Sequence, residues 1–88
     1  MKKDEYNVTV ILTGRLLGLQ KEAYYLQMFD CQSEGAKKLD AFIDNIAKLS
    51  NRNKGARIAK QLKEKPFELT IKQAYSIAKT AVKNQIEL

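Results

Sequence analysis

The sequence predicts an α+β fold: an N-terminal antiparallel β-hairpin followed by three helices packed on one face, in a single domain over residues 1–88. Two observations predict it. Side chains alternate between two faces over residues 6–13 and again over 23–30, and beyond Asp30 the apolar period lengthens to that of a helix. A pair of glycines between the alternating runs supplies the turn.

In the first run Tyr6, Val8, Val10 and Leu12 share one face, and Asn7, Thr9, Ile11 and Thr13 the other, with the β-branched richness expected of a strand. The second, "AYYLQMFD", sets Tyr24, Leu26 and Met28 against Tyr25, Gln27 and Phe29. Between them lies "ILTGRLLGLQK". A phosphate-cradling loop needs G-x-x-x-x-G-K-[ST] opening a helix. Here three residues separate Gly14 from Gly18, Lys21 is displaced, and no Ser or Thr follows. Gly14 is therefore read as a bend in a long strand, and "GLQK" as the hairpin turn. Two strands alone make a marginal sheet, so a short extra strand at 66–69 or a second copy of the chain is expected to extend it.

Ser33 is a candidate N-cap for a helix running to about Ser50, with Leu39, Phe42, Ile43, Ile46 and Leu49 on the buried side and Ala36 and Ala47 at its margin. Lys37, Asp40, Asp44 and Lys48 share the outer side, where Asp44 and Lys48 form an i, i+4 pair. "SNRNKG" breaks the pattern. Asn53 then caps a short helix through about Glu64, carried by Ile58 and Leu62 and stopped by Pro66. The last helix opens on "TIKQ", a capping box with Thr70 as N-cap and Gln73 at N3. Ile71, Ala74, Tyr75, Ala78 and Val82 form its buried face, widened by Ile77 and Ala81.

The chain holds no histidine, which removes the usual general base, the usual zinc ligand and every histidine-dependent triad. A non-catalytic protein is expected, with no catalytic residues, no metal site and no cofactor. The single cysteine, Cys31, cannot close an intramolecular disulfide and suits a reducing cytoplasm. The apolar run near the N-terminus is too short for a signal peptide or a membrane span, so a cytoplasmic protein without a membrane partner is expected.

The net charge of +6 is unevenly placed. Residues 1–47 carry six basic and seven acidic groups, residues 48–65 seven and one, and residues 66–88 three and two. The whole excess therefore sits in "KLSNRNKGARIAKQLKEK". On a helical wheel Lys54, Arg57 and Lys60 point away from Ile58 and Leu62, with Lys63 at the border and Arg52 in the preceding turn. Lys72, Lys79 and Lys83 fall in one stripe of the last helix. These eight side chains are the candidate binding residues. Their chemistry suits phosphates, because cations displace the counterions condensed on a nucleic acid.

Nucleic acid, or a nucleoprotein complex, is accordingly the first partner expected. The alternative is a protein-binding regulator or inhibitor of the mobile-element or phage type, such as an anti-defence protein, docking on an acidic partner surface. Known DNA-binding layouts fit less well. A helix-turn-helix drawn from "RIAKQL" to "IKQAYSIAKTA" has too long a connection in "KEKPFELT". A ribbon-helix-helix would offer Tyr25, Gln27 and Phe29 to the groove.

Overall fold

The alternating residues 6–13 lie in a helix. A computed structural model describes residues 3–28, 34–50, 52–64 and 69–88, and places four helices in them: α1 (Lys3–Met28), α2 (Glu34–Ala47), α3 (Lys54–Glu64) and α4 (Ile71–Lys83). Among the described residues there is no strand, so the expected α+β hairpin fold is corrected to an all-helical one. Both hairpin strands, as far as Met28, and the bend at Gly14 and turn at 18–21 fall inside the unbroken α1. Of the extra strand expected at 66–69, only Leu69 is described: it is a buried core residue outside any strand. The cap expected at Ser33 lies outside the described residues.

Physical reasons for the correction can be read along α1. Among the described side chains of α1, Thr9, Leu12, Thr13 and Leu16 are buried, spaced three and four apart, which is one stripe of a helix. The β-branched residues that favour a strand cost a helix only a few tenths of a kcal/mol each, up to about 0.7. Burying one leucine returns roughly 1.5–3 kcal/mol. The threonines also lose no hydrogen bond. Thr9 Oγ1 donates to Glu5 O at 2.6 Å and Thr13 Oγ1 to Thr9 O at 2.7 Å, so two buried hydroxyls are satisfied by their own helix.

The helices close into a ring. α1 packs on α4 and α2, and α3 packs on the same two helices from the other side. At about 1.5 Å per residue the 26-residue α1 is about 39 Å long and accounts for the 41 Å long axis of the molecule. Leu16, Phe42, Ile46, Ile77 and Thr9 are the largest fully buried side chains at the centre. Around them Ala56 and Ala59 on α3 and Ala74, Ala78 and Ala81 on α4, all fully buried, keep the helices close.

In α2 the buried residues are Ala36, Leu39, Phe42, Ile46 and Ala47, so both marginal alanines face inward. Ile43 and Leu49 are partly buried against the core. α3 starts where Asn53 O accepts from Arg57 N at 3.2 Å, and ends at Glu64 as expected. Its buried residues are Gly55, Ala56 and Ala59, with Ile58 and Leu62 only half-buried.

α4 opens on the expected capping box: Gln73 N donates to Thr70 Oγ1 at 3.2 Å and Thr70 N to Gln73 Oε1 at 3.0 Å. Ile71, expected inside, is 71% exposed: it lies at the margin of the buried face formed by Ala74, Ile77, Ala78 and Ala81. The helix closes with a Schellman turn: Ile86 N donates to Ala81 O at 2.9 Å and Gln85 N to Val82 O at 3.3 Å, with Gln85 held at φ 56°.

Candidate functional site

Helix α3 owes its position to Gly55. A Cβ there would strike Thr80 Oγ1 and come within 2.7 Å of Ser76 O, so the start of α3 lies directly on the second half of α4. This contact sets Lys54 beside the stretch of α4 that carries Lys79 and Lys83. Thr80 Oγ1 is itself fixed, donating to Ser76 O at 3.0 Å.

All eight candidate residues, Arg52, Lys54, Arg57, Lys60, Lys63, Lys72, Lys79 and Lys83, are exposed. They divide between two directions. Lys63 turns toward α2, where its Nζ lies 2.5 Å from Asp44 Oδ1 with both side chains about half exposed. Lys60 and Lys63 line a shallow open groove of ≈ 320 Å³ together with Asp44, Ala47 and Lys48. Lys72, Lys79 and Lys83 instead lie on the side of α4 opposite Ala74, Ala78 and Ala81. The pairing of Asp44 with Lys63 replaces the Asp44–Lys48 pair expected along α2. An ion pair so exposed contributes at most about 1 kcal/mol, so it orients Lys63 more than it stabilises the fold.

Lys48 belongs with these residues although it is not one of the eight candidates. It was visible as the first residue of the basic block, but its partners in the groove come from α3, and only packing brings them together. The groove therefore offers three ammonium groups and one carboxylate. Such a set attracts phosphate oxygens by charge and lacks the planar fork that fixes a base edge.

Among the described residues no group of three or more His, Cys, Asp or Glu side chains is placed to hold a metal ion. None of their buried side-chain nitrogen or oxygen atoms lacks a hydrogen-bond partner. No helix among them is long and apolar enough to cross a membrane. Comparison with protein-family models, curated proteins and solved structures finds no match to this chain.

Proposed function

We propose that this chain is a non-catalytic cytoplasmic binding protein whose basic surface on α3, α4 and the end of α2 engages the phosphate backbone of a nucleic acid, free or within a nucleoprotein complex. One observation carries the reading: the net charge is concentrated in residues 48–65, and every candidate cation there is exposed. Backbone contact is favoured over base reading, since only Arg52 and Arg57 in the block can fork onto a base or phosphate and no aromatic side chain is interleaved for stacking.

The test is a titration of fluorescent single- and double-stranded oligonucleotides at several salt concentrations. Four neutralised phosphates give a log–log slope of about −3 to −4 on duplex DNA. Arg57→Glu with Lys79→Glu, one change on each helix, removes the binding and leaves unfolding free energy within about 0.5 kcal/mol of the parent. Absence of binding at low salt sinks the proposal.

A second reading, a regulator or inhibitor that docks on another protein, is favoured by one separate feature. Tyr6, Val8, Val10 and Ile11 of α1 are 46–66% exposed, four large apolar side chains within six residues of one helix. Crosslinking that recovers a protein partner through this face in place of nucleic acid would select that reading.

A further inference from the structure

We propose that the outer face of α1 is the docking surface for a second copy of this chain, with the two α1 helices antiparallel. The feature is independent of the basic surface. Opposite the buried stripe of Thr9, Leu12, Thr13 and Leu16, the residues Asp4, Asn7, Ile11, Gly14, Gly18 and Lys21 recur at alternating intervals of three and four, and all six are exposed. That spacing is one continuous face of the helix, and its two glycines leave room for a second backbone to approach. Ile11, 66% exposed, projects from the middle of it, with Val8 and Val10 on its flanks.

The glycines of the protein fall into two kinds. At Gly35 a Cβ would sit 2.8 Å from Leu19 Cδ2, and at Gly55 it would strike Thr80, so contacts inside the chain account for both. At Gly14 and Gly18 nothing among the described residues lies within 4 Å of such a Cβ. Each weakens α1 relative to alanine, and no contact with another described residue compensates. A second backbone drawn close against them does.

One antiparallel register satisfies the whole stripe. Ile11 of each copy fills the space over Gly14 of the other, Asn7 lies over Gly18, and Asp4 meets Lys21. Each pair occurs twice, as a two-fold contact demands, along about 27 Å of helix. A parallel pair would oppose Asp4 to Asp4, Lys21 to Lys21 and glycine to glycine. The charge balance agrees: Lys3–Met28 holds three basic and three acidic residues, so two α1 helices meet without net repulsion although the chain is +6.

Sedimentation equilibrium of the full chain across the micromolar range tests this, with circular dichroism to confirm folding. The parent is expected to pass from monomer to dimer. Asp4→Lys or Lys21→Glu alone lowers association by about tenfold, and the two together restore it to near the parent value. Gly14→Gln, a better helix former with nothing to strike in its own chain, lowers association while leaving the monomer's melting temperature equal or higher. A parent that stays monomeric throughout, a combined charge variant that fails to recover, or a Gly14→Gln variant that associates normally would each overturn the proposal.

Discussion

Helices α4 and α1 are both regular, yet they leave different amounts of apolar surface in water. α4 opens on a capping box, buries Ala74, Ile77, Ala78, Thr80 and Ala81, leaves Ile71 exposed in its first turn, turns Lys72, Lys79 and Lys83 to water, and closes on a Schellman turn. α1 buries one stripe and leaves Tyr6, Val8, Val10 and Ile11 exposed around the rest of its circumference. A helix whose apolar residues fill one face is accounted for by one core. A helix apolar on several sides calls for more than one neighbour, and α2 and α4 cover only part of α1.

Substitution on the two faces of α1 gives the largest effect. Leu16→Ala is expected to cost about 2–5 kcal/mol, since Leu16 has no exposed surface, while Ile11→Ala stays within about 0.5 kcal/mol at concentrations where the chain is monomeric. Urea denaturation reads both. Equal costs at the two positions would mean that the outer face is also covered inside the monomer.

Next in size is Gly55→Ala, expected to destabilise by about 1–3 kcal/mol because the methyl would meet the backbone at Ser76 O and the fixed hydroxyl of Thr80. The lysines of α3 and α4 would be displaced with it, so oligonucleotide affinity falls alongside stability. Loss of stability with unchanged affinity would show that the two basic faces act separately.

The smallest effect is a gain at the end of α4. Gln85 is held at positive φ, which only glycine adopts without penalty, so Gln85→Gly raises stability by about 0.5–1 kcal/mol in a thermal melt. A loss would indicate that the glutamine side chain contributes more than the strained backbone costs.

How far the chain could be read varied with how local each signal was. The box at Thr70–Gln73 needs four residues and no tertiary partner, and it was legible as it stands. The buried side of α2 was legible because Leu39, Phe42 and Ile46 repeat at helical spacing amid charged residues. Residues 6–13 fit two periods at once. Tyr6, Val8, Val10 and Leu12 alternate as a strand would, while Thr9, Leu12, Thr13 and Leu16 step as a helix does. Threonine decided wrongly on paper, since its β preference was visible and its bond back to the preceding turn was not. The candidate site was legible as a charge count but not as a shape: the turn of Lys63 toward Asp44 depends on α3 lying against α2.

By itself the sequence determined the capping box at Thr70–Gln73, the charge asymmetry, the apolar face of α2 and most of that of α4, all properties of short windows in which the chain competes only with its own neighbours. The tertiary structure alone decided that residues 6–13 are helical, that Gly55 seats α3 on α4, and that Tyr6, Val8, Val10 and Ile11 of α1 are left facing water. Those outcomes turn on which surfaces other helices bury, and burying Leu16 and Leu12 in a four-helix core outweighs the small local preference for a strand.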